Sequence, residues 1–166
     1  HQALTRARFC AGDPEVGARF EQIRCEILCR ERALDTLREE IMAMRQKMYD
    51  AHASHDAQHF KLKHDPGGII DVEFIVQYLG LGYAHRHPEL TQNLGNIALL
   101  GMAGQLGLIA PAHAEACANA YREFRRLQHA QRLSATPKAP IDPAPVAHHI
   151  EAVKALWAAV FSGNPQ

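Results

Sequence analysis

The most constraining feature of the sequence is the segment from about Ile69 to Tyr83, which is apolar on most sides when it is drawn as a helix. It follows Asp65-Pro66-Gly67-Gly68, which stops any preceding element, because proline restricts the residue before it and glycine permits unusual backbone angles. A helix that is apolar on most sides lies at the centre of a bundle. Asp71, Glu73 and Gln77 interrupt this helix, although a helix that only fills a core needs no such residues.

Two amphipathic helices are predicted before this segment. The first begins at Asp13-Pro14, with the aspartate as N-cap and the proline in the first helical position. The second covers the 30s and 40s, and a kink or short turn near Arg30 to Arg32 separates the two. Helical spacing predicts narrow buried seams of Val16, Phe20, Ile23 and Ile27 in the first helix and of Leu34, Leu37, Ile41, Met44 and Met48 in the second.

The remainder of the chain also reads as helix and loop. Helices are predicted from about Asn93 to Leu106, from Pro111 to about Leu133 and from about Val146 to Phe161. Residues 51–66 and 136–145 are predicted to be loops, with a brief extended stretch at 60–63, and residues 162–165 close the last helix. We therefore predict an all-α fold, a helical bundle of about six to seven helices.

The predicted organisation is a single helical domain over residues 1–166. Within it, residues 1–9 form the tail of a helix, residues 14–50 form a helical hairpin or a kinked helix, and residues 67–161 form the core of the bundle. The chain opens without methionine, so it reads as a piece of a longer protein.

Composition excludes several classes of function. Lysine plus arginine and aspartate plus glutamate number 18 each, so the formal charge gives no reason to expect nucleic acid or an anionic membrane as a partner. No apolar run approaches the roughly 18 residues that span a bilayer, and the start of the chain does not resemble a signal peptide. We expect a cytoplasmic protein.

The cysteines and histidines do not predict a metal site. Four scattered cysteines without a Cys-x-x-Cys pattern indicate reduced thiols in the core. The eleven histidines are also scattered, and six of them, His52, His55, His59, His64, His85 and His87, fall in predicted loops. The adjacent His148 and His149 would point about 100° apart on a helix, which is unfavourable for sharing an ion.

A polar network is predicted on the central helix. Glu73 and Gln77 lie one turn apart and face the same way. A buried carboxylate needs a partner, and the long fifth segment carries a basic stripe that includes Arg125 and His129. We predict a Glu73–Arg125 pair, which would either hold the helices together or belong to a functional surface.

The turn before the central helix permits two interpretations. Gly67-Gly68 followed by a helix N-terminus could receive a phosphate, with Lys61 and Lys63 nearby. The alternative is a helix-entry turn with solvated lysines, since the sequence shows neither a Walker pattern nor a dinucleotide fingerprint. Asp71 would likewise be either functional or an ordinary first-turn carboxylate that favours the helix N-terminus.

Three stretches resemble the glutamine synthetase adenylyltransferase family. Residues 63–79 read KHDPGGIIDVEFIVQYL, close to the family pattern of Gly-Gly-Ile-x-Asp-Ile-Glu-Phe-x-Val-Gln-Tyr-Leu. Residues 1–8, HQALTRAR, are similar to the helix that trails the family's catalytic domain, and Ala120-Tyr121 with Phe124-Arg125 and His129 fit as well. From Thr91 to Asn96 the chain reads TQNLGN, where the family pattern has Trp-x-Asp-Asn.

The resemblance implies an active unit of two parts. In the family, a nucleotidyltransferase domain holds Mg²⁺ and ATP with a Gly-Ser motif and paired aspartates, and a helical domain follows it. This sequence lacks the Gly-Ser-Asp-x-Asp motif, so it is similar to the helical domain that follows the adenylyl-transferring half. The resemblance then implies no catalytic residue, no metal site and no bound cofactor in this chain, which we expect to be inactive alone.

The resemblance also suggests roles for particular residues. Lys63, Gly67, Gly68 and Asp71 would face the cleft of the upstream domain, near the nucleotide. Glu73, Gln77, Arg125 and His129 would form the structural network beneath them. The implied partners are the upstream nucleotidyltransferase domain in cis and glutamine synthetase. An alternative is a docking or regulatory module that binds glutamine synthetase or the PII signal protein.

Overall fold

A computed structural model describes residues 2–54, 58–134 and 139–162. It contains six α-helices in this part of the chain: α1 (Pro14–Leu28), α2 (Leu34–His52), α3 (Ile69–Tyr83), α4 (Asn96–Gln105), α5 (Pro111–Leu133) and α6 (Ala147–Phe161). Short 3-10 turns occupy Gln2–Thr5, Pro88–Thr91 and Ala144–Val146. The predicted all-α bundle is confirmed. The predictions that concern His1, His55 and residues 136–138 and 163–165 lie outside the described residues.

The central position of α3 follows from its sequence. Eleven of its fifteen residues are buried, and Val72 and Ile75 have no exposed surface. Full burial of such a side chain contributes about 1.5–3 kcal/mol to the free energy of unfolding. The four residues of α3 that retain exposure are Glu73, Gln77, Gly80 and Tyr83. Glu73, Gln77 and Gly80 are spaced as one helical stripe, which leaves a single polar edge on the central helix.

Helices α4, α5 and α6 pack on the other faces of α3. Leu100 of α4, Phe124 of α5 and Leu156 of α6 are completely buried in the shared core. A Cβ atom on Gly104 would lie 3.1 Å from the Cβ of Ala114, so α4 and α5 approach closely there. Gly101 of the same helix faces open space instead.

The buried face of α1 is shifted by one residue from the predicted seam, whereas the buried face of α2 includes two of the predicted seam residues. In α1 the buried residues are Gly17, Arg24 and Leu28, and in α2 they are Leu37, Ile41 and Arg45. The predicted seam residues Val16, Ile23 and Met44 are instead exposed. Leu37 and Ile41 are buried as predicted. For Val16, Ile23 and Met44 the prediction was wrong, because hydrophobic periodicity places every arginine outside, whereas Arg24 and Arg45 are buried with hydrogen-bonding partners.

Local signals at several helix ends are confirmed. The Asp13 side chain accepts a hydrogen bond from the backbone N–H of Glu15 at 2.8 Å, so it is the N-cap of α1. Beyond α4, Gly107 has a φ of 71°, a left-handed conformation that suits glycine at the end of a helix. Two starts differ from prediction, since α4 begins at Asn96 after a 3-10 turn and residues 2–5 form a 3-10 turn in place of a helical tail.

Candidate functional site

A cleft opens between the N-terminal segment, α3, the loop before α4, and α5. Its volume is about 490 Å³. We call it the arginine cleft, because three guanidinium groups line it. Its polar lining consists of Thr5, Arg6, Arg8, Gln77, Thr91, Asn93, Asn96, Tyr121 and Arg125. The cleft therefore lies beside the polar edge of α3.

A chain of polar contacts crosses the wall of the arginine cleft. Asn96 donates its amide N–H to the hydroxyl of Tyr121 at 2.9 Å, and this hydroxyl lies 3.4 Å from Oε1 of Glu73. The same carboxylate oxygen is 3.3 Å from the Nη1 atom of Arg6. The contacts join α4, α5, α3 and the N-terminal segment, so Glu73 serves as the common acceptor of the wall.

The predicted Glu73–Arg125 pair was wrong. Glu73 pairs with Arg6, and Arg125 donates to Oε1 of Gln128 on its own helix at 2.9 Å. Helical periodicity could suggest that Arg125 of α5 lies near Glu73 of α3. It could not show that the segment before α1 folds back and supplies a nearer arginine. His129 is exposed one turn beyond Arg125.

Gln77 takes part in the same wall. Its side-chain oxygen accepts a hydrogen bond from the side-chain amide of Gln2. Gln77 and Arg125 line the arginine cleft, whereas Glu73 lies behind it. Of the four residues predicted to form a polar network, three thus lie in or beside one cavity.

The N-terminal segment is held in place by Arg24, which the sequence analysis did not single out as a site residue. Its side chain is 1% exposed and donates to the carbonyl oxygens of Leu4 and Thr91 and to Oδ1 of Asn93. Glu21 pairs with the same guanidinium at 3.3 Å and also accepts the backbone N–H of Phe9. The signal that could have identified Arg24 was its place on the helical face that carries Gly17 and Leu28.

The N-terminus of α3 is closed to a phosphate. The backbone N–H of Gly67 donates to the Asp71 carboxylate at 2.6 Å. The backbone N–H of Gly68 donates to the carbonyl oxygen of Asp65 at 3.0 Å. The N–H groups of Ile69 and Ile70 are bonded to carbonyl oxygens of the preceding loop. Since these amides already have acceptors, the turn is a helix-entry turn, and the alternative of a phosphate site there was wrong.

Two glycines are required at this turn for steric reasons. Gly67 has a φ of 86°, and a Cβ atom on it would lie 2.7 Å from the carbonyl oxygen of Ile150 in α6. A Cβ atom on Gly68 would lie 2.6 Å from the carbonyl oxygen of Leu62. The backbone of the turn therefore packs directly against α6 and against the loop that precedes the turn and contains Leu62.

Asp71 and Arg45 form a buried ion pair between α3 and α2. Both residues are more than nine-tenths buried, and Nε of Arg45 donates to Oδ1 of Asp71. A second guanidinium nitrogen donates to the carbonyl oxygen of His64 at 2.9 Å. Burial raises the pKa of Asp71, while Arg45 and the N–H of Gly67 oppose this rise. The carboxylate thus connects α2, the Gly67 turn and α3.

The four residues predicted to face a cleft do not line the arginine cleft. Lys63 is exposed, while Gly67 and Gly68 are buried in the turn. Asp71 borders a separate, smaller cavity of about 260 Å³, whose lining includes Arg45 and Trp157. Whether any of the four contacts an upstream domain stays a prediction.

Metal-binding side chains do not cluster among the residues that the structure describes. Within residues 2–54, 58–134 and 139–162, no group of three or more histidine, cysteine, aspartate and glutamate residues could hold an ion. The rings of His148 and His149 do lie with centroids 3.9 Å apart, so the expectation that they point apart was wrong. The carboxylates that Mg²⁺ prefers are absent from the lining of the arginine cleft among these residues, so the cleft does not fit Mg²⁺.

The thiols are free in the described part of the chain. Cys117 is completely buried, and burial raises its pKa to about 12, which makes it unreactive. Cys25 and Cys29 are half-buried and Cys10 is exposed, so among these four cysteines only Cys117 is the core thiol that was expected.

No helix in the described ranges is long and apolar enough to cross a bilayer.

His64 beside the Gly67 turn should make stability depend on pH. Burial lowers its pKa most, and the positive charges of Lys63, His52, Arg45 and Lys61 lower it further. The folded state therefore resists protonation, whereas the unfolded chain takes up a proton near its ordinary pKa of about 6.5. The free energy of unfolding should be highest above about pH 6.5 and should fall as the pH drops below that value.

We expect His64→Gln to reduce this dependence. Melting temperatures between about pH 7.5 and about pH 5.5 would fall for the wild type and fall less for the variant. Some dependence should remain, because burial also lowers the pKa of His149. His129→Gln, a change at an exposed position, is the control and should follow the wild type. Equal slopes for the wild type and His64→Gln would contradict the assignment.

Comparison with known proteins assigns the chain to a uridylyltransferase family. The model of the GlnD PII-uridylyltransferase family matches residues 37–138, which include most of α2 and all of α3, α4 and α5. The match covers more than half of the chain, and the chain belongs to this family. The match includes the Gly67 turn, the polar edge of α3 and the part of α5 that lines the arginine cleft.

Within that class, the chain resembles one kind of enzyme in particular. It is 58% identical, over 97% of its length, to the bifunctional glutamine synthetase adenylyltransferase/adenylyl-removing enzyme of Aromatoleum aromaticum. It is 60% identical over 84% of its length to the enzyme of the same name from Nitrosomonas eutropha, and 48% identical over 97% to that from Burkholderia mallei. The resemblance seen in the sequence is thereby confirmed. The chain spans only 17% of the length of the Aromatoleum relative.

Proposed function

We propose that this chain is the helical part of a cytoplasmic glutamine synthetase adenylyltransferase and follows its AMP-transferring nucleotidyltransferase domain. The observation that carries the proposal is the 58% identity over 97% of the chain to an enzyme of that name. The reaction joins a tyrosine oxygen of glutamine synthetase to the α-phosphorus of ATP, with loss of the phenolic proton and release of pyrophosphate. Mg²⁺ would stabilise the phosphates in that reaction, held by carboxylates of the upstream domain.

This chain would supply one wall of the active cleft. The arginine cleft lies beside residues 2–8, the segment through which an upstream domain would connect. Arg24 holds that segment against α1 through Leu4. The contacts among Asn96, Tyr121, Glu73 and Arg6 fix the orientation of the wall. In this role the described residues form and orient the cleft wall that faces the substrate, and they transfer no proton.

A comparison of three proteins tests the proposal. AMP transfer to glutamine synthetase would be measured with labelled ATP and Mg²⁺ for this chain alone, for the upstream nucleotidyltransferase domain alone and for the two joined in one polypeptide. We expect transfer only by the joined protein, because the described residues of this chain contain no cluster of Mg²⁺ ligands and the upstream domain lacks this wall. Equal rates for the upstream domain with and without the chain would contradict the proposal.

A docking role for glutamine synthetase or the PII signal protein is a second candidate. It is favoured by exposed apolar side chains of α1 and of the segment before it, namely Phe9, Val16 and Ile23, which are between 39% and 66% exposed. Steady-state kinetics separate the two roles. Loss of docking raises the KM for glutamine synthetase while kcat stays unchanged, whereas loss of a cleft wall lowers kcat.

A further inference from the structure

We propose that the arginine cleft binds the polyphosphate part of a ligand, through the guanidinium groups of Arg8 and Arg125. The inference deepens the proposed function and rests on it for the source of the phosphates, which would be ATP or the pyrophosphate released from it. The binding itself follows from the charges and geometry of the cleft.

The cleft carries uncompensated positive charge in a protein whose formal net charge is zero. Three arginines line it, and the described lining contains no aspartate or glutamate. Glu73 behind the wall pairs with Arg6 alone. Arg8 and Arg125 have no carboxylate partner among the described residues, so two positive charges remain directed at one concave surface. A concave wall concentrates such a field and attracts an anion.

The other groups of the lining suit phosphate oxygens. Gln77 carries an amide donor, and Asn93 and Asn96 each have a second amide N–H besides the one that bonds to Glu21 or to Tyr121. The hydroxyl of Tyr121 already donates to Glu73 and is not counted as a donor. Guanidinium groups bind phosphate through paired N–H donors, and such charge-assisted hydrogen bonds are stronger than neutral ones. Two guanidiniums at one site match a chain of linked phosphates better than a single phosphate.

The volume also fits this class of ligand. A cavity of about 490 Å³ lies within the usual range for small-molecule sites, about 300–1,000 Å³. Apolar residues such as Leu94 and Ile97 line the part near α4. Arg125 is already oriented by its hydrogen bond to Gln128, so little conformational freedom is lost when it meets an anion.

The test measures binding of inorganic anions to this 166-residue chain by isothermal titration calorimetry. Tripolyphosphate should bind in a saturable manner at about 0.1 M salt and much more weakly at about 1 M salt, where exposed charges are screened. Arg8→Gln and Arg125→Gln should each weaken its binding about tenfold, because each removes one charge-assisted contact. Circular dichroism spectra and melting temperatures should remain unchanged.

Arg122→Gln is the matched control. Arg122 lies on the same helix as Arg125 and also bonds to a neighbour three residues away, but it is exposed and outside the cleft lining. Its substitution should leave tripolyphosphate affinity unchanged. Equal losses in Arg122→Gln and Arg125→Gln, or no saturable binding at about 0.1 M salt, would overturn the proposal.

Titrations with ATP and AMP test which part of the ligand the cleft recognises. ATP should bind about as tightly as tripolyphosphate, and AMP much more weakly, because AMP lacks the linked phosphates. Binding of AMP as tight as that of ATP would overturn the proposal. Failure here is distinct from failure of the proposed function, since AMP transfer that depends on the chain without any anion binding would remove only the present inference.

Discussion

Asp71→Ala should lower the free energy of unfolding by about 3–5 kcal/mol, the largest effect that we expect from a single substitution. The change leaves the guanidinium of Arg45 buried without its counter-charge, and it removes the acceptor of the Gly67 N–H. Buried charges without a partner are costly because the interior solvates them poorly. Urea denaturation, with the midpoint and slope fitted together, would measure the loss.

An exposed ion pair provides the control for Asp71. Asp35 is paired with Arg38 at 3.0 Å, and its side chain is 88% exposed. Asp35→Ala should therefore cost less than about 1 kcal/mol, because solvent already screens the pair. Asp71→Asn, which keeps the shape and one acceptor oxygen, should fall between the two. A cost for Asp71→Ala no greater than that of Asp35→Ala would show that the buried pair does not hold α2 to α3.

Gly67→Ala should destabilise the fold by roughly 2–4 kcal/mol, from left-handed backbone strain and overpacking together. Gly67 has a φ of 86°, and an added Cβ would meet the carbonyl oxygen of Ile150 at 2.7 Å. That oxygen belongs to the backbone of α6 and cannot rotate away. The substitution would therefore push α6 from the start of α3, and thermal denaturation followed by circular dichroism would record the loss.

Gly101→Ala is the control for the glycine substitution. Gly101 lies inside α4, and an added Cβ there would have no atom within 4 Å. Alanine is the better helix former, so this variant should gain about 0.5–1 kcal/mol. Opposite signs for the two glycine-to-alanine changes would show that conformation and packing set the result. A neutral Gly67→Ala would contradict the described contact with α6.

Helix positions could be read from the sequence because their signals are local. Asp13-Pro14 begins α1, and the glycines at 67 and 68 precede α3, as predicted. The central place of α3 also followed from its own side chains, since a helix that is apolar on most sides can only be surrounded. These features depend on neighbours within a few residues along the chain.

The candidate site could be predicted only in part. Gln77 and Arg125 were singled out, and both line the arginine cleft. Arg6 and Arg8 entered only through the resemblance of the N-terminal stretch, and Asn96 only where the chain departs from the family pattern. The cleft forms because segments distant in sequence meet, and no periodicity reports such a meeting.

The sequence by itself determined the helices, the central position of α3 and the family resemblance, because each rests on local side-chain patterns. Only the tertiary structure decided which face of α1 is buried, that Arg45 belongs to the buried face of α2, and what Glu73 contacts. The physical reason is that a buried charge needs a polar partner, and these partners lie far away along the chain. Arg24 is stabilised by distant carbonyl oxygens and Arg45 by Asp71, so polar contacts across the fold outweighed the apolar periodicity of their own helices.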